Sequence, residues 1–198
     1  MGKRKQKFIK YIYECLLEVI YPSKSVCINC SKDLEKEYLC EKCLNEVKLI
    51  KDKEYLDNNE LYVCGYYSYT LKNLIFKLKY NKDFNVGLYL VELMNEKIKE
   101  NNLQFDYILY IPTSKKKLKE KGFNQCEFLA KELSKKTNIK VINIIIKKDN
   151  IKEQKLLSSL ERKKNMSKAF YISKEVNLNN KTILLIDDVI TTGSTLIS

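Results

Sequence analysis

Histidine is absent from this chain of 198 residues. Every mechanism that needs an imidazole base is therefore excluded, including Ser-His-Asp and Cys-His nucleophilic catalysis. Any zinc site must use cysteine thiolates, with carboxylates as the other available ligands. Glycine and proline are scarce, at 5 and 2 residues, which excludes collagen-like proteins and Pro/Gly-rich disordered proteins. Hydrophobic residues make up 44% of the chain, so a core can form.

Long apolar runs are also missing. The N-terminal segment begins with basic residues, as a signal peptide does, but Lys10, Glu14 and Glu18 interrupt the apolar stretch that follows. A membrane-spanning helix needs about 20 predominantly apolar residues. The apolar residues of 8–21 recur at helical spacing, which predicts an amphipathic helix ending before Pro22. We therefore expect a cytoplasmic protein with no membrane span, and binding to a membrane surface is a secondary option.

Positive charge is concentrated in one part of the chain. The formal net charge is +12, and residues 111–168 hold 17 basic and 6 acidic residues, a net charge of +11. A local field of this kind favours a polyanionic ligand such as phosphates, pyrophosphate or nucleic acid. The alternative is a solvated lysine-rich face, since lysine is abundant throughout the chain.

Strand-like and helix-like segments alternate from residue 61 onward. The predicted strands are 61–70, 106–112, 140–148, 168–173 and 181–188. The predicted helices are 71–80, 84–100 and 123–137. Strands that alternate with helices and are apolar on both faces are typical of a parallel sheet covered by helices. The sequence therefore predicts an α/β domain with a parallel sheet.

Four of the seven cysteines form two close pairs, Cys27 with Cys30 and Cys40 with Cys43, separated by nine residues. Each CxxC pair can hold two thiolates, and two such pairs close a tetrahedron around zinc. A closed four-cysteine site has no open position, so its role is structural, and a redox pair or unrelated cysteines are the alternatives. The other cysteines lie in apolar contexts and are predicted to be buried spacers: Cys15, Cys64 and Cys126.

Three regions follow from these patterns. Residues 1–24 form the N-terminal helix, 25–60 the zinc ribbon with its connector, and 61–198 the α/β domain. The boundary falls within 44–60 because that stretch is polar and lacks strong periodicity. The ribbon is too short for an adequate core, so we expect the metal to supply its folding energy.

Two adjacent acids end the last predicted strand. Asp187 and Asp188 follow the apolar residues 182–186 directly. In an open parallel sheet, ligands bind at the carboxyl ends of the strands. Each carboxylate can accept a hydrogen bond from one hydroxyl of a vicinal diol. The alternative, acids that only cap a polar loop, leaves two charges beside a buried strand without a partner, which is unfavourable.

The turn after these acids has the composition of a phosphate-binding loop. Residues 191–195 are Thr-Thr-Gly-Ser-Thr and lead toward a helix. Backbone N–H groups of such a turn suit a monophosphate. A P-loop is excluded because no lysine follows Gly193, and a dinucleotide fingerprint is excluded because this stretch has one glycine. A diol beside a monophosphate describes a ribose 5-phosphate.

These residues resemble the phosphoribosyl pyrophosphate (PRPP) motif of type I phosphoribosyltransferases, and the wider pattern resembles one branch, the ComF family. The resemblance covers about residues 16–198 and is carried by CINC, CEKC, LKNLIFKLKY, IPTSKKKLKEKGFNQCEFLAKEL, EQKLLSSLERKKNMSKAF and ILLIDDVITTGST. It implies a type I phosphoribosyltransferase-like domain with a parallel sheet, preceded by a small four-cysteine zinc ribbon. The family continues past the phosphate loop into a full helix and a further strand, so we expect the domain to be truncated at Ser198.

The resemblance also assigns site residues. The ribose-diol acids, taken as the catalytic residues, are Asp187 and Asp188. The 5-phosphate loop consists of Thr191, Thr192, Gly193, Ser194 and Thr195. The pyrophosphate loop and the mobile arm at 149–167 contribute Thr113, Ser114, Lys115 and Arg162. Further candidates beside that loop are Lys119, Lys121 and the junction Gly122-Phe123-Asn124-Gln125. Mg²⁺ is implied, bridging pyrophosphate oxygens and ribose hydroxyls.

Two functions are compatible with the sequence. The first is a PRPP-binding phosphoribosyltransferase associated with competence and DNA uptake, in which pyrophosphate leaves the anomeric carbon of the ribose. The second is a zinc-ribbon accessory protein that binds single-stranded DNA or DNA-uptake proteins without transferase activity. The acid pair favours the first, because nucleic acid binding gives no reason for carboxylates at this position.

Overall fold

The computed structural model describes residues 26–34, 37–147, 170–173, 176–190 and 196. The chain divides into two compact units, Met1–Glu46 and Val47–Ser198. The predicted N-terminal helix at 8–21, the mobile arm with Arg162 and the phosphate loop at 191–195 lie outside the described residues. None of the described helices has both the length and the apolar character that a transmembrane span requires.

The described residues of the first unit form a small turn structure followed by a short helix. Val26 pairs with Asp33 in an antiparallel bridge, and the backbone N–H of Cys27 donates to the Lys32 carbonyl at 2.7 Å. Helix α1, Glu41–Asn45, begins immediately after Cys40. The first cysteine pair therefore sits on a tight turn, and the second sits at the start of a helix.

The second unit opens with a hairpin that the sequence analysis did not predict. Strands β1, Glu54–Leu56, and β2, Asn59–Leu61, pair in antiparallel register across a turn at Asp57, which has a φ of 53°. The polar connector predicted for 44–60 is therefore wrong in this part. Most of its residues are polar because the hairpin is largely exposed, so polarity did not signal the absence of regular structure.

The strand predicted for 61–70 is also wrong. Leu61 ends β2, Gly65 makes only an isolated bridge to Leu49, and helix α2 spans Tyr69–Phe76. The high aromatic content that suggested a strand belongs to exposed side chains, among them Tyr69 at 78% exposure. Aromatic residues indicate a strand only where a packed surface receives them.

The two predicted helices that follow are confirmed. Helix α2 continues directly into a π-helical segment, Lys77–Asn81, which ends at Lys82 in the left-handed conformation. Helix α3 spans Phe84–Glu100, and the Asp83 side chain accepts a hydrogen bond from the Val86 N–H at its start. The apolar stripe of this helix faces the core, since Val86 and Val91 are fully buried.

Two parallel strands of the second unit carry the predicted acid pair and the segment that precedes Thr113. Strands β3, Tyr107–Tyr110, and β6, Ile183–Ile186, pair in parallel, with Tyr110 opposite Ile186. Val141 adds a parallel bridge to Ile108 on the other side of β3. The predicted α/β class with parallel strands is therefore confirmed.

Two further strands run antiparallel to each other. Strands β4, Ile145–Lys147, and β5, Phe170–Ile172, form a separate ribbon. The strand predicted for 140–148 is thus divided between a parallel bridge at Val141 and this ribbon. Uniform β-branched composition could not show that the segment changes partner along its length.

A short helix occupies the segment where a loop was expected. Helix α4, Lys115–Lys121, begins at Ser114, whose hydroxyl accepts from the Lys117 N–H at 3.3 Å, and ends at Gly122 with a φ of 79°. Of the residues predicted for the pyrophosphate loop, Thr113 precedes this helix, Ser114 caps it and Lys115 is its first residue. A serine N-cap, a lysine-rich run and a following glycine are an ordinary helix signal that was overlooked.

Helix α5, Gln125–Thr137, packs between α3 and the β3–β6 pair. The predicted start of this helix after Gly122 is confirmed, with Asn124 as its N-cap. Gly87 of α3 allows the close approach, since a Cβ atom there would lie 2.3 Å from Phe128 Cε1. This packing fixes the first turn of α5 against the end of the sheet.

Candidate functional site

The acid pair lies at the carboxyl end of β6, as the sequence predicted from its position. Ile186 is buried at 2% exposure, and its carbonyl accepts a hydrogen bond from the Ile111 N–H at 3.0 Å. The pairing of β3 with β6 therefore extends to the last strand residue. Asp187 and Asp188 follow at once, and the Asp188 N–H donates to Asp187 Oδ1 at 2.9 Å. The two carboxylates are thus held next to each other at one edge of the sheet.

Asp188 is held by two side chains from different helical segments. Lys79 Nζ lies 2.8 Å from Asp188 Oδ2, and Gln125 Nε2 donates to the same oxygen at 3.1 Å. The Asp188 side chain is 11% exposed, and Gln125 is buried. The π-helical segment and the start of α5 therefore both converge on this carboxylate.

Asp187 contacts a buried thiol. Cys126 Sγ lies 3.6 Å from Asp187 Oδ1, and Cys126 is 2% exposed, which confirms its predicted burial. Burial, together with the charges of Asp188 and Asp187, raises the pKa of Cys126 well above its usual value. The thiol is therefore protonated at neutral pH and donates to the carboxylate. It is not a reactive nucleophile.

The environment of Asp187 changes its protonation. Burial and then the charge of Asp188 raise the pKa of Asp187 to about 6. Above about pH 6 the carboxylate form predominates and accepts hydrogen bonds, whereas below that pH the group carries a proton. The acid pair is therefore an acceptor for two hydroxyl groups at neutral and alkaline pH.

A cavity of about 420 Å³ has both acids in its lining. Its wall is mostly apolar, with residues from α2, α3 and α5, and polar groups come from Glu54, Lys97, Gln125, Asp187 and Asp188. Small-molecule sites commonly have a volume of about 300–1,000 Å³, an apolar lining and a few convergent polar groups. The cavity is therefore large enough for a small ligand that contacts both acids.

The predicted residues near β3 take different positions. Thr113 and Ser114 follow β3 at the same sheet edge as the acids, but the Ser114 hydroxyl is engaged in capping α4. Lys121 Nζ lies 4.4 Å from the centre of the Tyr80 ring. Asn124 Nδ2 donates to the Ile111 carbonyl at 3.1 Å, which ties α5 to the end of β3. Of the Gly122–Gln125 junction, Gln125 is the residue that reaches the acid pair.

Lys79 is a site residue that the sequence reasoning missed. The segment LKNLIFKLKY was interpreted as an amphipathic helix, and its lysines were discounted because lysine is abundant in this chain. Lys79 lies 109 residues from Asp188 in sequence, so no local pattern links the two. A helical-wheel analysis also fails here, because the turn that carries Lys79 is π-helical.

The four paired cysteines converge in the first unit. Their sulfur atoms all lie within 4.8 Å of one another, and Cys30 Sγ is 3.7 Å from Cys40 Sγ. Burial raises the pKa of Cys27, but hydrogen bonds from the backbone N–H groups of Cys30, Cys40 and Asn29 lower it to a net value of about 6. The predicted convergence is confirmed, and four thiols with N–H groups aimed at sulfur form a group that can bind zinc.

Several known competence and DNA utilization proteins are similar to this chain over most of its length. Competence protein F of Haemophilus influenzae is 26% identical over 184 residues, which cover 86% of this chain and 80% of that protein. DNA utilization protein YhgH of Escherichia coli K12 is 26% identical over 180 residues, covering 87% and 74%. Competence protein ComFC of Bacillus subtilis is 24% identical over 189 residues, covering 94% and 75%. The chain is therefore similar over most of its length to proteins of the ComF type. No family model matches it.

Several segments that carried the ComF resemblance have defined places in the structure. The four cysteines of CINC and CEKC form the sulfur cluster, and the acids of ILLIDDV end β6. The residues FNQC lie at the start of α5, beside those acids. The described segments LKNLIFKLKY, FNQC and ILLIDDV thus meet at one edge of the sheet, although they are distant in sequence.

Proposed function

We propose that this ComF-family protein binds PRPP, or another ribose 5-phosphate ligand, at Asp187 and Asp188. The observation that carries the proposal is the pair of adjacent carboxylates at the end of a parallel strand, held by hydrogen bonds and facing a cavity. Each carboxylate accepts one hydroxyl of the ribose diol. The acids directly follow the last residue of β6, whose pairing with β3 fixes their position. They are therefore in place before the ligand binds.

The phosphate groups of the ligand are assigned to flanking segments. Residues 191–195 directly follow the acids in sequence and are proposed to hold the 5-phosphate. The pyrophosphate is proposed to contact Thr113, Ser114 and Lys115 and, from the arm, Arg162. The net charge of +11 over residues 111–168 favours this assignment, because pyrophosphate needs cationic neighbours.

The oxygen-rich acid pair and a pyrophosphate ligand fit Mg²⁺, a cation that prefers oxygen ligands. Asp187 and Asp188 would hold the ribose of the ligand that carries this ion, as the family resemblance implies. Its contribution when bound is to neutralise charge on the departing pyrophosphate.

The reaction proposed for this site is a displacement at the anomeric carbon. The bond from that carbon to the pyrophosphate oxygen breaks, the electron pair leaves with pyrophosphate, and a bond to an acceptor nucleophile forms. The chain contains no histidine, so the protein contributes position and electrostatic stabilisation. The transferase domain is proposed to have the type I phosphoribosyltransferase fold.

The cysteine cluster is proposed to be a structural zinc ribbon, since a four-thiolate site leaves no open coordination position. Reduced cysteines fit the cytoplasm, where disulfides are rare. The names of the relatives support a role in competence and DNA uptake. The basic segment favours a second candidate, a nucleic-acid-binding accessory without transferase activity.

Calorimetry with PRPP separates these two candidates. Full-length protein titrated with PRPP is expected to bind it in the presence of Mg²⁺ and much more weakly without it, because the ion neutralises pyrophosphate charge. Single-stranded DNA is titrated in parallel at two salt concentrations. DNA binding without any PRPP binding in Mg²⁺ would support the accessory protein and contradict the transferase.

A further inference from the structure

We propose that Lys79 is a positioning residue of the ribose site, which supplies the positive charge that lets two adjacent carboxylates face one ligand. The inference rests on the proposed function, since it assigns a role in that same site. The ligand class is the vicinal diol of a ribose 5-phosphate.

The contact between Lys79 and Asp188 is short and shielded from water. Nζ lies 2.8 Å from Oδ2, with the two side chains 29% and 11% exposed. Burial lowers the pKa of Lys79, but the hydrogen bond and charge of Asp188 outweigh this effect and leave it raised. Lys79 is therefore a full positive charge at neutral pH, at a position where screening by water is reduced.

The backbone that carries Lys79 departs from an ordinary helix. Residues Lys77–Asn81 form a π-helical turn between α2 and α3, and Lys82 after it is left-handed with a φ of 56°. Isolated π-turns frequently occur at functional sites because they redirect side chains. Here the turn sends Lys79 to Asp188, while the ring of Tyr80 lies 4.7 Å from that of Phe76 and under Lys121 Nζ.

The positive charge of Lys79 matters because the other described groups that contact Asp187 and Asp188 are a neutral amide and a protonated thiol. Among the described residues, the groups that contact the pair are the neutral amide of Gln125, the protonated thiol of Cys126, and Lys79 with Tyr80 beside it. Two carboxylates in contact repel each other, and one of them binds a proton more readily when no cation is near. A protonated carboxyl group is a poorer acceptor for a sugar hydroxyl.

Removal of Lys79 should therefore move the pH dependence of ligand binding. Wild-type protein is expected to lose affinity for PRPP as the pH falls through about 6, when Asp187 becomes protonated. In Lys79→Met the loss should begin at higher pH, so that affinity at pH 7 falls about tenfold or more and recovers partly toward pH 9. Lys79→Arg keeps the charge and is expected to retain the wild-type profile.

The experiment combines two measurements on the full-length protein. Calorimetry with PRPP and Mg²⁺ is performed across this pH range on wild type, Lys79→Met, Lys79→Arg and the control Lys72→Met, an exposed lysine of α2. Carbon-13 NMR of labelled aspartate carboxyls follows the titration of Asp187 without ligand. Lys79→Met is expected to raise the pH at which Asp187 titrates, and Lys72→Met to leave it unchanged.

The two measurements distinguish failure of the inference from failure of the proposed function. If wild type does not bind PRPP at any pH, the proposed function is wrong, whatever the NMR titration gives. If wild type binds PRPP but Lys79→Met changes neither the titration nor the shape of the pH profile, Lys79 is only a structural tie and the inference is overturned. Equal weakening of PRPP binding at every pH would also overturn the inference, because it would reflect only the loss of a positive charge near an anionic ligand.

Discussion

Replacing Asp187 and Asp188 together by Asn is expected to weaken PRPP binding by a factor of at least about 100. Each lost charge-assisted hydrogen bond to a ribose hydroxyl should cost on the order of 1.5–3 kcal/mol. The fold should remain intact, because the ionised form of Asp187 is disfavoured by burial and by Asp188, so the neutral amides relieve repulsion. Calorimetry measures the affinity, and thermal unfolding checks stability.

A matched control removes the same charge elsewhere in the second unit. Asp57 lies in the hairpin turn, where Asn also tolerates a positive φ, and Asp52 is an exposed residue before β1. The double variant Asp52→Asn, Asp57→Asn is expected to bind PRPP as wild type does. DNA binding, if present, should be unchanged or slightly stronger in the Asp187/Asp188 variant. Unchanged PRPP affinity with lost DNA affinity would contradict the assignment of the acids.

Removal of zinc is expected to unfold the four-cysteine region. Among described residues 26–34 and 37–46, the buried hydrophobic side chains are Leu39 and three cysteines of the cluster, namely Cys27, Cys40 and Cys43. Without a metal, this region keeps almost no core. Structural zinc contributes roughly 10–16 kcal/mol in zinc-finger peptides, far more than a single buried leucine. Purified protein should contain one zinc per chain, and Cys27→Ser with Cys40→Ser should lose it.

Metal analysis and limited proteolysis test this expectation. Proteolytic cleavage within 26–46 should become rapid in the Cys27/Cys40 variant, while cleavage within 47–147 stays as slow as in wild type. Cys64→Ser serves as the control, since Cys64 lies in the second unit outside the cluster. Protein purified without chelator but free of zinc would remove the zinc ribbon from this account.

The elements that could be predicted from the sequence are those in which a single pattern of apolar residues dominates. Helix α3 was predicted to begin and end where it does, because its apolar residues recur at helical spacing along its whole length. Strand β6 was predicted because its apolar run is short and ends at two acids. The errors at 44–70 and at α4 arose where composition was used in place of capping and turn signals.

The site was only partly predictable, for a physical reason. The acids and the cysteines carry chemistry that is visible in short motifs, so their positions could be inferred from sequence. Lys79 and Cys126 reach the acids through helix packing and a π-helical turn, which connect residues far apart in the chain. In a chain with 37 basic residues, no local signal separates one functional lysine from the others.

The most direct measurement of the central claim compares two ligands that differ by one hydroxyl group. Ribose 5-phosphate and 2-deoxyribose 5-phosphate are titrated calorimetrically into wild type and into the Asp187/Asp188 double Asn variant at pH 8. If the acids hold a vicinal diol, wild type should prefer the ribose compound by about tenfold or more, and the double variant should lose most of this preference. Equal affinity of wild type for both sugars, with binding observed, would contradict the claim that Asp187 and Asp188 hold the ribose diol.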